Sequence, residues 1–226
     1  MISKLTRKTL KEQAYLALRD MIVSHRFSPG KWINVEQLVQ ELGVSRTPIR
    51  LALKQLEEEK MVRHIPNQGV SLVEMTLPMA LDLYRVRGVL EGMAARLAAK
   101  NMDTMTRSRL EAVLRDQPAI IKKKDLLRYS TSDFDFHGLI YDACGNWLLK
   151  ELLENIKNRS RPMVGDLSAI LPALYEDHKK VVQAFKAGDE AAAERIMKQH
   201  NLRMYRHIKK IRKMEEGISK TSHVFS

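Results

Sequence analysis

Apolar residues recur every three or four positions through most of this chain, and a few Gly- and Pro-bearing breaks separate the periodic runs. Ala14, Leu18, Met21 and Ile22 share one face, which predicts an amphipathic helix over about 8–25. Ser28-Pro29-Gly30 ends it in a turn. A second helix is expected from Val35 to Leu42, with Leu38 and Leu42 on one side, and Gly43 stands where a helix end wants positive φ. Ser45 then reads as the N-cap of a third helix, with Thr47 as a rival cap placing Pro48 at the first helical position. Ile49, Leu53 and Leu56 bury one side of that helix. Two short extended runs, 61–65 and 70–73, flank Pro66-Asn67-Gln68-Gly69, which has the chemistry of a hairpin turn. Three helices and a hairpin make a winged helix-turn-helix over residues 1–75.

Beyond residue 78 the pattern is helical throughout, with no strand-like alternation. Leu81, Leu83, Tyr84, Val86, Leu90, Ala94 and Leu97 define a helix to about Lys100. Further helices are expected from Asp103 or Thr104 to Lys123, from Asp125 to Ala143, over about 147–167, from Pro172 to Ala187, and from Glu190 to Met214. The chain thus reads as mostly α: a winged domain, a linker at Thr76-Leu77-Pro78, an all-α bundle over 79–214 and a flexible tail over 215–226.

Composition adds a partner class. The 226 residues carry a formal net charge of +12, which suits a polyanion such as nucleic acid, though a solvated basic surface gives the same number. Much of the surplus lies late: 195–213 holds eight lysines and arginines and no acid. The single cysteine, Cys144, excludes an internal disulfide and suits a reducing cytoplasm. The N-terminus is amphipathic rather than signal-like, and no run approaches the roughly 18 apolar residues of a membrane span. A soluble protein of the cytoplasm is expected, with no membrane partner.

Arg46, Thr47 and Arg50 stand at the solvent-facing start of the third helix, where side chains reach base edges and phosphates in a major groove. Taken alone, two such arginines are as well read as ordinary surface residues. Leu42-Gly43-Val44-Ser45-Arg46-Thr47-Pro48-Ile49-Arg50, the leucine-spaced helix, Met61-Val62 and Gln68-Gly69-Val70 together resemble the DNA-binding domain of the GntR family of bacterial transcription regulators, over about 8–73. Leu51 departs from the family's usual glutamate, and Glu58-Glu59-Lys60-Met61-Val62 from its usual Glu-Gly-Leu-Val. The resemblance implies that Arg46 and Arg50 contact bases and phosphates, with Ser45 and Thr47 beside them. It also implies that Gln68 and Gly69 enter the minor groove at the wing tip.

In the bundle, Asp133 and His137 are four apart and share a helix face, while His178 and His200 lie on later helices. Spacing alone leaves an ordinary ion pair and two unrelated histidines as open readings. Asp133-x-x-Phe136-His137, then Gly145-Asn146, Asp177-His178 and Gly188-Asp189 leading to His200 resemble the effector domain of the FadR branch, called FCD, over about 78–214. Asp177 stands where a glutamate commonly precedes the histidine. The resemblance implies a divalent metal held by Asp133, His137, His178 and His200; three imidazoles and a carboxylate suit Zn²⁺ or Ni²⁺, with Mn²⁺ and Fe²⁺ as alternatives. It implies a small organic acid as effector. Arg87, set among Leu83, Leu90 and Ala94, would face its cavity, and the competing reading of Arg87 is a plain i,i+4 pair with Glu91.

The expected protein is therefore a ligand-responsive transcription regulator, a repressor, binding a palindromic double-stranded operator as a homodimer. A metal-dependent enzyme on the Asp/His cluster is the first alternative, though no His-Glu-x-x-His helix supplies a base. An effector-independent structural DNA-binding protein is the second.

Overall fold

The computed structural model describes residues 8–23, 26–27, 32–73, 75–160 and 167–222, with backbone alone at 127, 159 and 212–222. The expected turn at Ser28-Pro29-Gly30 lies outside the described residues. The chain divides into a unit of residues 1–75 and a unit of residues 76–226.

In the first unit, helix α1 (Leu10–Val23), strand β1 (Trp32–Ile33), helices α2 (Val35–Leu42) and α3 (Arg46–Glu58), and strands β2 (Val62–Ile65) and β3 (Gly69–Leu72) follow in order. Asn34 caps α2 by accepting from the Gln37 N–H at 3.1 Å. Gly43 ends it at φ 63°, the left-handed conformation a side chain disfavours. Ser45, not Thr47, takes the N-cap position of α3, and its hydroxyl makes no capping bond. Pro48 then falls in the first turn, where its missing N–H has no intrahelical partner to lose. Leu18, Ile22, Ile49, Leu56, Met61 and Leu72 close the core of this unit.

The wing is more than a hairpin. β2 and β3 pair antiparallel, with Ile65 opposite Gly69, and β1 adds to the far side of β3 with Trp32 opposite Ser71 and Ile33 opposite Val70. Asn67 at φ 63° and Gly69 at φ 107° make the turn between β2 and β3.

The second unit contains six helices among the described residues: α4 (Leu77–Asn101), α5 (Thr104–Lys122), α6 (Leu126–Ala143), α7 (Trp147–Ser160), α8 (Leu171–Ala187) and α9 (Glu190–Ser222). Thr76-Leu77-Pro78 is the beginning of α4 rather than a linker. The Thr76 hydroxyl accepts from the Met79 N–H, and Pro78 lies in the first turn, where proline initiates rather than breaks. α7 is described to Ser160, and 161–166 of its expected span lie outside the described residues. α9 runs on to Ser222, through most of the expected tail. Val86, expected on the buried face of α4, points outward instead.

Phe136, Ile140, Tyr141, Leu153, Val181 and Met197 build the main core of the bundle, with Ala94, Ala95 and Ala98 letting α4 approach closely. Tyr84, Tyr129, Leu171, Leu174 and Met204 form a second cluster.

Candidate DNA-reading surface and metal centre

α3 presents one exposed side. Ser45, Arg46, Thr47 and Arg50 are all exposed at its start, and Gln68 and Gly69 are exposed at the wing tip. Arg50 and Gly69 line one concavity together with Lys54 and His64. The helix and the wing therefore address the same space, and Lys54 and His64 join it without having been singled out in the sequence. Arg46 is engaged: its Nη2 and Nε donate to Glu36 Oε2 at 2.7 and 3.1 Å. Both side chains are more than half exposed, so this pair is weak and readily exchanged for a phosphate.

In the bundle, folding brings Asp133 and His137 of α6, His178 of α8 and His200 of α9 together, with one ligand atom from each within 4.8 Å of the others. Asp133 Oδ1 stands 3.7 Å from His137 Nε2 and 3.6 Å from His178 Nε2. The rings pack closely: His178 stacks between Phe136, at 4.1 Å, and His200, at 4.7 Å between centroids. All three histidines are buried. Burial, reinforced by the Lys157 ammonium, pushes His178 down to about 3. Burial also pushes His200 down to about 4 and His137 well below the ordinary range. The imidazoles are neutral, the form that donates a lone pair to a metal.

Nε2 of His137 and Nε2 of His178 are buried without a hydrogen-bond partner. Orphaned buried nitrogens are costly, about 1–3 kcal/mol each, unless something outside the protein chain satisfies them. Three neutral imidazoles and one carboxylate converging at metal-ligand spacing fit a divalent ion in both chemistry and number.

A cavity of about 70 Å³ opens beside this cluster, lined by Asp133 and His200 and by Tyr84, Arg87, Lys157 and Ser160 among others. Arg87 has two relationships here. It is buried and paired with Glu91, donating through Nη2 at 2.8 Å and Nε at 3.1 Å, and it lines the cavity. Burial alone would lower its pKa, but Glu91 outweighs burial and holds the guanidinium charged. Glu91 in turn stays ionised despite burial, because Arg87, Asn201 and Tyr141 all stabilise its carboxylate. Lys157 is a second buried cation at the cavity, its ammonium donating to the Asp133 and Phe134 carbonyls at 2.9 and 2.8 Å. Gln117 and Lys157 carried no signal in the sequence beyond helical periodicity, and Glu91 only that of an i,i+4 partner for Arg87.

Comparison with known proteins bears on the family of the chain. Residues 10–72 match the bacterial regulatory proteins of the gntR family, and residues 82–203 match the FCD domain. The chain is 28% identical over 214 residues to the HTH-type transcriptional regulator YdhC of Bacillus subtilis, covering 91% of this chain and 92% of that protein. It is 27% identical over 204 residues to the HTH-type transcriptional repressor RspR of Escherichia coli, covering 89% and 90%. Among solved structures, E. coli McbR/YncC superposes with a TM-score of 0.78 over 89% of this chain and 99% of that one, at 23% identity. A GntR-type regulator from Rhodococcus gives a TM-score of 0.75 over 88% and 96%, at 24% identity. These two likenesses speak to the fold. The matched families and curated relatives are transcription regulators rather than enzymes, which removes the metal-dependent enzyme as a reading. With one family model covering the winged unit and the other most of the helical unit, the chain belongs to the GntR family of bacterial transcription regulators, in the FadR-like branch that carries an FCD domain.

Proposed function

We propose that this regulator is a cytoplasmic repressor that binds a palindromic operator as a homodimer and changes its operator affinity when a small organic acid enters the bundle. One observation carries the reading: the cavity is lined by Asp133 and His200 of the ligand cluster and by the two buried cations Arg87 and Lys157. An uncharged molecule gains little from such a lining, whereas a carboxylate is drawn by the positive charge of Arg87 and Lys157. Asp133, His137, His178 and His200 would hold the metal, with Zn²⁺ or Ni²⁺ favoured and Mn²⁺ or Fe²⁺ as alternatives. A bound divalent ion would supply a Lewis-acidic point for an acid's oxygen.

At the DNA, Arg50 and Arg46 would read base edges and phosphates from α3, supported by Ser45 and Thr47, while Gln68 and Gly69 approach the minor groove. Met79, Val86, Val89 and Met93 form an exposed apolar stripe on one side of α4, a surface suited to a second copy of the chain. When on its operator, the dimer is part of the nucleoid. Acid binding and DNA binding are linked, so each shifts the other by the same factor.

The test is operator binding by fluorescence anisotropy, on a DNA site selected in vitro, with Zn²⁺-loaded protein and with lactate, malonate, malate and citrate as probes. At least one acid should change operator affinity by about fivefold or more, in the range of ordinary allosteric coupling. Unchanged affinity with every acid, in protein that no acid or metal stabilises against heat, would instead favour an effector-independent DNA-binding protein.

A further inference from the structure

Each imidazole of the cluster turns Nδ1 toward a different polar group. His178 Nδ1 lies 3.3 Å from Gln117 Oε1, His137 Nδ1 lies 3.4 Å from Glu91 Oε2, and His200 Nδ1 lies 3.9 Å from Asp177 Oδ2. Each of these groups is itself held in place. Gln117 donates its Nε2 to the Ser132 hydroxyl at 3.2 Å, so its carbonyl end faces the ring. Asp177 accepts twice from Arg203, at 2.9 and 3.2 Å. Glu91 accepts from Arg87 and Tyr141 on Oε1 and from Asn201 Nδ2 on Oε2, the last at 2.6 Å.

Glu91 is the most constraining of the three. An ionised carboxylate only accepts, so an unprotonated Nδ1 facing it would set two lone pairs against each other in a dry interior. Glu91 is 1% exposed, so no solvent screens that repulsion. His137 therefore keeps its proton on Nδ1 and its lone pair on Nε2. Asp133 Oδ1, another acceptor, lies 3.7 Å from that Nε2. Two acceptors placed this close need a donor or a cation between them, and a divalent ion suits the four converging groups.

We propose that Glu91 is a positioning residue of the metal centre: it selects the Nδ1–H tautomer of His137 and so presents Nε2 to the ion. This rests on the reading of Asp133, His137, His178 and His200 as metal ligands. Arg87 gives the arrangement a second consequence, because the cation that keeps Glu91 ionised is also part of the cavity wall. Partners of this kind, behind a ligating histidine, typically tune metal affinity by about 10–100-fold.

The experiment measures Zn²⁺ affinity by chelator competition for the full-length wild type, Glu91→Gln, and the double variant Arg87→Gln/Glu91→Gln, together with imidazole tautomers by ¹⁵N NMR of the metal-free proteins. The double variant is included because Glu91→Gln alone leaves Arg87 buried without its counter-charge. Expected are an Nδ1–H tautomer for His137 in the wild type, its loss in both variants, and a fall in Zn²⁺ affinity of about 10-fold or more. An Nε2–H tautomer in the metal-free wild type overturns the role of Glu91. So does Zn²⁺ affinity within twofold across all three proteins. A wild type that binds no Zn²⁺ overturns the metal centre beneath it, whatever the tautomer.

Discussion

Asp133 Oδ1 stands 3.6 Å from Nε2 of His178, although the first belongs to α6 and the second to α8. The contact joins a partly open carboxylate at the cavity wall to a ring that is buried on all sides. Such a junction loses most of its purpose if either member is removed. Asp133→Ala should leave the helical content unchanged and abolish stoichiometric metal in the purified protein, as read by elemental analysis. Zn²⁺ at about 100 times its Kd stabilises a native state by about 2.7 kcal/mol, or about 5–10 °C of Tm for a unit of this size. The wild type should show that shift on adding Zn²⁺, and Asp133→Ala should show none. Equal shifts in both would place the metal elsewhere.

The depressed histidines give the metal-free protein a distinctive acid response. In the unfolded chain each imidazole titrates near 6.5, whereas in the folded chain His178 and His200 wait until about 3 and about 4, and His137 is also depressed. Between these values the unfolded chain binds more protons than the folded one, so stability is full above pH 6.5 and falls as the pH drops toward 4. Each buried imidazole contributes up to about 1.4 kcal/mol per pH unit in that window. Carboxylates titrate lower, so the interval from pH 6.5 to 5.5 reports mainly on histidine. Urea midpoints of the chelator-treated full chain should fall across it, and His178→Gln should flatten the decline. An identical decline in the variant would show that other groups set the slope.

Local signals carried the sequence reading well and long-range ones carried it poorly. The faces of α1, α2 and α3 follow from Leu18, Leu38, Leu53 and their helical spacing, and Gly43 marks the turn because its φ of 63° is a local demand. β1 was missed because a two-residue strand has no periodicity; Trp32 and Ile33 are strand only by virtue of pairing with β3. Pro78 was read as a break because proline ends helices from inside, yet at a capped N-terminus it begins them. The end of α9 was placed too early because a run rich in charge resembles a tail, and a lone Gly217 does not stop a helix. At the bundle site, the four candidate ligands were legible through resemblance to a family pattern, not through spacing. Glu91 and Gln117 were not, since their roles exist only once α4 and α5 are packed against α6 and α8.

The stripe on α4 makes oligomeric state a direct test of the dimer. Met79, Val86 and Met93 are about half exposed and Val89 is 63% exposed, an arrangement that a lone soluble domain has little reason to keep. A stable homodimer buries about 800 Å² per partner, and a single central charge in such a surface is strongly disfavoured. Val89→Glu should convert the protein to a monomer in sedimentation velocity runs at micromolar concentration while preserving its helical spectrum. Operator affinity should fall with it, because the two half-sites are then bound independently. A dimeric Val89→Glu would move the interface to another face.

Arg46 and Arg50 are expected to respond differently to substitution, because Arg46 alone is tied to a neighbour. Its guanidinium spends two donors on Glu36, whose carboxylate a DNA phosphate must displace. Arg50→Ala removes the group proposed to read a base and should weaken specific binding by about 1–3 kcal/mol, roughly 5- to 150-fold, while relaxing sequence preference at one position. Glu36→Gln works the other way. It removes a competing anion worth at most about 1 kcal/mol, so operator binding should tighten by up to about fivefold, with sequence preference unchanged. The gain should shrink as salt rises, since exposed charges are screened over about 10 Å at 0.1 M. Anisotropy titrations of both variants at 50 and 200 mM salt decide the matter: weaker operator binding by Glu36→Gln would mean that the Glu36–Arg46 pair orients the arginine for DNA rather than competing for it.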